Sequence, residues 1–192
     1  DNICSFNIDI FTEQENGSYT RADEVQTERC YELCEINRAR QIEENRIAEQ
    51  AYIEIDRSFD PENDRILVVE NDGWHQGIIG IVASRITEKY GVPSILITFA
   101  GVSDGSADNS DVGKGSGRSV KGLNLVDALC YCSDNLLKFG GHELAAGLSV
   151  TRENLDLFRQ KINEYAKLNL KTEDMVPTFE ADCVISFEDA NI

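Results

Sequence analysis

The sequence predicts an α/β fold: a mixed, largely parallel β-sheet flanked by helices and preceded by a long linker helix. Three observations carry that prediction. From about residue 22 to residue 56 the chain contains no Pro and no Gly, and Val25, Leu33, Ile36, Ile42, Ala48, Ala51, Tyr52 and Ile55 recur at intervals that give a helix an apolar stripe. Ile66 to Phe99 reads as strand, loop, helix, strand, the pattern of a βαβ unit with parallel strands and a right-handed crossover. Beyond Gly113, strand-like and helix-like stretches go on alternating as far as Leu168. A chain of 192 residues with 41% apolar side chains has material for one sizeable core and an appendage.

Taken in order, Phe6, Ile8 and Ile10 alternate with polar residues ahead of Asn16-Gly17, the signal of a short hairpin. The breaker-free stretch is one long helix or two in tandem, ended by the turn cluster Asp60-Pro61-Glu62-Asn63-Asp64, which also marks a domain boundary. Ile66 to Val69 is a short apolar strand. Gly73-Trp74-His75-Gln76-Gly77 is a loop, and Ile78, Ile79, Ile81, Val82, Ile86 and Tyr90 line a helix that Gly91 and Pro93 stop. Ser94 to Phe99 is a second buried strand, the polar run Gly101 to Asp111 a surface loop, and Gly113 to Val120 a third strand or extended arm. Leu125, Leu129, Leu136 and Leu137 recur near helical spacing, which predicts a helix over Asn124 to Phe139. Ala145 to Val150 is a fourth strand, and Leu155, Phe158, Ile162 and Tyr165 place a helix over Asn154 to Leu168. After Pro177, the alternation from Phe179 to Phe187 is a last strand that either closes this sheet or begins another module. The chain then divides into an N-terminal segment over 1–28, a helix over 29–60, an α/β domain over 61–176 and the start of a following β module over 177–192.

The formal charge of −17 argues, at face value, against a nucleic-acid partner. Residues 1–65 carry 17 acidic and 7 basic side chains and residues 66–192 carry 18 and 11, so both parts are acidic. Gly113 to Lys121 is the exception, holding Lys114, Arg118 and Lys121 with no acid. A small basic island in an acidic surface suits capture of one phosphate better than sliding along a duplex. The three glycines at 113, 115 and 117 clear side chains from a backbone that must approach something closely, while Lys114, Ser116, Arg118 and Ser119 supply donors for an anion. If the arm is extended, Lys114, Ser116 and Arg118 project to one side and their donors converge on one anion. Six irregularly spaced cysteines without a CxxC pair describe neither a disulfide scaffold nor a zinc site, and fit a reduced cytosolic protein. Cys30 and Cys34, at i and i+4, lack nearby histidines, so buried thiols are the preferred reading over a metal site. Trp74, at a strand-to-helix corner, is read as a core residue in preference to a base-stacking one. No apolar run approaches the roughly 20 residues that span a bilayer, so no membrane partner is expected.

Three motifs in order carry a family resemblance. Gly73-Trp74-His75 leading into Gly77-Ile78-Ile79-Gly80-Ile81-Val82-Ala83-Ser84-Arg85, then Gly113-Lys114-Gly115-Ser116-Gly117-Arg118-Ser119, then Gly140-Gly141-His142 with Ala145-Ala146-Gly147, together resemble the DHH-associated domain of RecJ-type exonucleases. Ile36-Asn37-Arg38-Ala39-Arg40-Gln41 is similar to the long helix that joins the two halves of that enzyme core. The tail after Pro177 looks like the first strand of the oligonucleotide-binding barrel that follows in the family.

The resemblance implies a function that this chain holds only in part. RecJ-type enzymes degrade single-stranded DNA from its five-prime end with manganese or magnesium held by a preceding DHH domain. Here there is no Asp-His-His triplet, the only histidines are His75 and His142, and no carboxylate cluster suits two metal ions. The chain reads as the substrate half of such an enzyme, binding no metal itself, partnered by single-stranded DNA and the missing N-terminal DHH domain, and inactive alone. Carried across, the family's roles make Ser116 and Arg118 binders of the terminal phosphate. The Gly140-Gly141-His142 turn would present backbone N–H groups and an imidazole to a phosphate at the metal centre. Lys114, Ser119, Arg40 and His75 complete the candidate substrate-binding set. Two other readings remain open: the substrate domain of a DHH-family phosphodiesterase acting on short oligonucleotides or cyclic dinucleotides, and a non-enzymatic nucleotide-binding regulatory module.

Overall fold

The computed structural model describes residues 11–13, 19–21, 23–61, 63–99 and 111–171, with side chains from residue 33 onward. The chain forms two units, Asp1–Glu43 and Glu44–Ile192. In the first, β1 (Phe11–Glu13) pairs antiparallel with β2 (Tyr19–Arg21), Phe11 opposite Arg21. This is a hairpin in the expected region; the Asn16-Gly17 turn and the alternating Phe6, Ile8 and Ile10 lie outside the described residues. One continuous helix, α1 (Asp23–Ser58), accounts for the breaker-free stretch. Among its described side chains, Ile47, Ala48, Ala51 and Ile55 are buried, while Leu33, Ile36 and Ile42 are each 65% exposed. From residue 33 onward, the apolar stripe read along the helix is therefore a packed face only from Ile47 on.

The second unit is built on a five-stranded sheet. β3 (Leu67–Asp72) leads through α2 (Gln76–Tyr90) to β4 (Ser94–Phe99); β5 (Val112–Arg118), α3 (Leu125–Tyr131), β6 (Lys138–His142), β7 (Ala145–Thr151) and α4 (Leu155–Asn169) follow. The order across the sheet is β3-β4-β5-β7-β6. α2 starts where the His75 imidazole Nδ1 accepts the Gly77 N–H at 3.1 Å, and stops where Gly91, at φ 69°, takes the left-handed conformation that glycine enters without steric cost.

The sheet is mixed, as predicted, but its balance is the reverse of the prediction. β3 and β4 are parallel; β4–β5, β5–β7 and β6–β7 are antiparallel. The reason is visible strand by strand. All six residues of β4 are buried, the signature of a strand covered on both faces by a βαβ crossover. β5, and β7 as far as Leu148, alternate between covered and more open residues, as antiparallel strands with one partly solvated face do.

A second difference concerns residues 124–139. α3 ends at Tyr131, a single 3-10 turn spans Ser133–Asn135, and Leu136 is extended at φ −115° and ψ 142°. The Leu137 N–H bonds to the Ser149 carbonyl at 2.8 Å, starting β6 as an edge strand where the sequence predicted helix. The Phe179 to Phe187 strand and the Gly101 to Asp111 loop fall outside the described residues, apart from Asp111, which is a turn residue.

Two apolar clusters sandwich the sheet. Leu67, Val69 and Leu96 pack on α2 and the end of α1, with Trp74 buried among them and its indole N–H bonded to Gln50 Oε1 at 2.8 Å. Trp74 is thus a core residue, as the sequence led us to expect. Ile95, Ile97, Phe99, Leu148 and Val150 face the other way, onto α3 and α4. Asn163 of α4 pins the start of β3: its Oδ1 accepts the N–H groups of Arg65 and Ile66 at 2.8 and 3.2 Å and its Nδ2 donates to the Ile66 carbonyl at 3.1 Å. Asn163→Ala removes all three bonds at a half-buried site and is expected to lower stability by roughly 1–3 kcal/mol. Urea denaturation with an unchanged m-value checks this, and a loss below about 0.5 kcal/mol contradicts it.

Candidate nucleic-acid interface

The site rests on the side-chain alternation of β5. Cβ atoms added to Gly113, Gly115 and Gly117 would stand 2.7 Å from Ile97, 2.9 Å from Leu148 and 2.9 Å from Leu125. The close approach that the glycines permit is to the hydrophobic core, on the side of the strand away from the proposed anion. The close approach read from the sequence is thus to the core. Strand alternation then sends Lys114, Ser116 and Arg118 to the opposite face.

The register of the three antiparallel strands arranges that face in rows. Arg118 lies opposite Ala145, which lies opposite His142. Ser116, Gly147 and Gly140 form the next row, and Lys114, Ser149 and Lys138 the third. Interstrand spacing puts the outer members of each row about 10 Å apart, and successive rows lie about 7 Å apart along the strands. Glycine and alanine form the floor; basic side chains, hydroxyls and an imidazole form the sides. α2 covers β4 and reaches β5, where Gly80 makes the approach possible: a Cβ there would stand 2.9 Å from Ser116 Oγ and 3.2 Å from Arg118 Nη2.

Hydrogen bonds orient the cations. Arg118 Nη1 donates to Ser116 Oγ at 3.3 Å and to the Gly117 carbonyl at 2.8 Å, so Nη2 and Nε keep their donors. Lys114 Nζ turns across the sheet to Ser149 Oγ at 3.3 Å. Arg118 and Ser116 are thus brought together, and Lys114 points elsewhere; their donors do not converge on one point. Arg57, Arg85, Arg152 and Arg159 each hold a carboxylate, whereas Lys114, Arg118 and Lys138 have none within ion-pair distance among the described residues.

The remaining candidates are placed as follows. Gly140, Gly141 and His142 belong to β6, where a turn was expected; the turn is the next pair, Glu143 and Leu144. That turn is tied to the end of β5 by Ser119 N–H to Leu144 carbonyl at 2.9 Å and Leu125 N–H to Glu143 carbonyl at 2.8 Å. His142 is exposed, at the open end of the Arg118 row. Ser119 donates its hydroxyl to the Leu123 carbonyl at 2.8 Å, closing its own turn. His75 caps α2 through Nδ1, leaving Nε2 outward on an exposed ring. Arg40 is exposed on the part of α1 that belongs to the first unit. Cys34 is exposed, against the expectation of a buried thiol, and Cys30 has no described side chain. Cys132 is buried, which pushes its thiol up to about 11.

Sequence reasoning missed Lys138, Ser149 and Gly80. Lys138 was hidden by the helical reading of 124–139, although Lys138-Phe139-Gly140 alternates correctly for a strand. Gly80 had a signal, a glycine inside a helix where alanine is preferred. The site is an open surface. The groove of about 880 Å³ along the outer edge of β3, lined by Ile55, Phe59, Val68, Glu70, Arg159 and Asn163 among others, contains none of the candidate residues.

Residues 63–168 match the model of the DHHA1 domain, more than half of the chain. The chain belongs to the DHHA1 domain family. Within that family its relatives include the single-stranded-DNA-specific exonuclease RecJ of Bacillus subtilis, 36% identical over 126 residues, which cover 66% of this chain and 15% of that protein. The RecJ of Escherichia coli is 40% identical over 124 residues, 62% of this chain and 19% of that protein. A crystal structure of RecJ from Thermus thermophilus in complex with Mg2+ superposes with a TM-score of 0.57 at 30% identity over 71% of this chain and 19% of that one. A second, of exonuclease RecJ bound to manganese, has the same score and identity and is covered to 31%. This chain therefore corresponds to the DHHA1 region of RecJ-type exonucleases and spans less than a fifth of the length of these curated relatives. Those neighbours are bound to magnesium or manganese. Among the described residues of this chain no three His, Cys, Asp or Glu side chains are grouped to hold a metal ion, and no helix is long and apolar enough to cross a membrane.

The two sets of glycines make a stability test. Gly115→Ala overpacks Leu148 and Ile97 and is expected to cost roughly 1–3 kcal/mol. Gly140→Ala meets nothing within 4 Å and should leave stability within about 0.5 kcal/mol. Equal losses in paired thermal melts contradict the assignment of the two faces.

Proposed function

We propose that the β5-β7-β6 face binds the phosphates of single-stranded DNA, as the substrate-binding part of a RecJ-like five-prime to three-prime exonuclease whose metal-dependent chemistry belongs to a DHH domain outside this sequence. One observation carries the reading: three cations without a carboxylate partner among the described residues share one open sheet face in a chain of net charge −17. Desolvated or crowded cations in an acidic protein are usually neutralised by the abundant acids, so a set left unpaired over a floor of glycine and alanine is one suited to an external anion.

The roles follow from the chemistry of each group. Arg118, held by Ser116 and its own strand through one terminal nitrogen, keeps a planar pair of donors for two oxygens of the five-prime phosphate. Ser116 supports that guanidinium and offers its hydroxyl. His142, at the other end of the row, reaches toward the scissile side, and Gly140 and Gly147 let the strand lie close to the sheet. Ser119 and His75 have smaller parts: Ser119 holds the turn behind Arg118, and His75 fixes the start of the helix that carries Gly80.

Arg118→Ala is expected to weaken binding of five-prime-phosphorylated single-stranded DNA by about 10- to 150-fold, the loss of a charge-assisted hydrogen bond worth roughly 1.5–3 kcal/mol. DNA with a five-prime hydroxyl should lose less; an equal loss for both ends in fluorescence anisotropy rejects end recognition. Gly80→Ala separates binding from folding. The added methyl displaces the Ser116 hydroxyl, crowds the Arg118 guanidinium that it supports and lowers affinity, while alanine favours the helix by up to about 1 kcal/mol, so thermal stability should not fall. A variant that binds normally contradicts the role given to that contact.

A further inference from the structure

Lys114 and Lys138 of the third row add to the charge of the face, but no particular phosphate has been assigned to them. We infer that Lys114, Ser149 and Lys138 form a second anion seat, which holds an internal phosphate of the strand downstream of the one at Arg118. This rests on the reading that the face takes nucleic-acid phosphate, and adds to it that the face measures more than a chain end.

Three features of the row support a seat of its own. Lys114 and Lys138 stand on either side of Ser149, two interstrand steps apart, so a position above the middle strand lies between them. Ser149 is 7% exposed, and its hydroxyl receives a bond from Lys114 Nζ at 3.3 Å; that bond aims the ammonium across the sheet, away from Arg118. Lys138 is exposed and has no carboxylate partner among the described residues, although acids outnumber bases about two to one in the chain. Lys114 and Arg118 are four residues apart on an extended strand, about 13 Å. With Arg118 turned toward Ser116 and Lys114 toward Ser149, the two heads serve different anions. The Ser116-Gly147-Gly140 row between them is flat and leaves room for the intervening nucleotide. Lysine suits the internal position, because a compact, strongly hydrated charge accepts a diester in several orientations, whereas the planar arginine suits a terminal phosphate with more oxygens to offer.

The test compares a five-prime-phosphorylated thymidine mononucleotide with the corresponding tetranucleotide, each titrated against this chain over a range of salt. Lys138→Gln should weaken tetranucleotide binding about 10-fold and reduce its salt slope by about 0.7, the value for one phosphate contact on a single strand, with mononucleotide binding unchanged. Lys138 is exposed, so the melting temperature of the variant serves as a folding control. Equal effects on both ligands, or no difference from the parent chain on the tetranucleotide, overturn the second seat. Arg118→Ala keeps the two claims apart. If it abolishes mononucleotide binding while Lys138→Gln leaves the tetranucleotide untouched, the terminal seat stands and the internal one is wrong. If Arg118→Ala leaves the mononucleotide unchanged while Lys138→Gln lowers the tetranucleotide slope, the lysine seat stands and the end-recognition reading is wrong.

Discussion

Everything distinctive about this sheet depends on Gly113, Gly115 and Gly117 packing directly against Ile97, Phe99, Leu148 and Leu125. A side chain of any size on that side of β5 would push the strand off the α3–α4 core, since the nearest atoms would lie within 3 Å of the new Cβ. Once the glycines are committed to the core, the period of two leaves no choice for the residues between them. Lys114, Ser116 and Arg118 must emerge on the other face, at positions fixed by hydrogen bonds to β4 and β7. The proposed binding surface is thereby positioned by a sheet, which holds donors more accurately than a loop would.

The rest of the architecture decides how much of that face stays open. α2 packs over β3 and β4 through Ile78, Ile79, Val82 and Ile86, and reaches β5 at Gly80 without burying it. On the far side, β6 is a short edge strand tied back by the β6–β7 turn to Ser119 and Leu125. The result is a shallow trough about three strands wide, open toward whatever lies beyond β6. Gly141, at φ 154° with Ala145 and Ala146 within 2.5 Å of a built Cβ, is the one position there that a side chain cannot occupy without moving the hairpin. On the proposed reading, net charge and local charge act oppositely: the acidic bulk repels nucleic acid at long range, an effect that salt screens, while the cations that have no carboxylate partner among the described residues attract at contact.

Much of this was legible in the sequence, for identifiable reasons. α2 was readable because its apolar stripe, its glycine stop and its flanking strands agree. β4 was readable as a run of buried residues, and Trp74 as a core residue from its corner position. The shared face of Lys114, Ser116 and Arg118 followed from strand geometry alone. What failed was tertiary in origin. Leu136 and Leu137 continue the helical spacing of Leu125 and Leu129, and only the bond from Leu137 to Ser149 on another strand turns the chain into β6; Lys138 was lost with it. The balance of strand directions was misjudged because the βαβ unit was taken as the rule for the whole sheet, when it governs only β3 and β4. The glycines of β5 were recognised as permitting a close approach, but a sequence does not say to which side.

The most direct test of the central claim is an amide-resolved NMR titration of this chain with a five-prime-phosphorylated oligothymidylate. A phosphate-binding sheet face predicts shifts concentrated at Lys114, Ser116, Arg118, Lys138, Gly140, His142 and Gly147, reversed by added salt. Shifts gathered instead along the outer edge of β3, around Glu70, Arg159 and Asn163, or none that saturate, would contradict it.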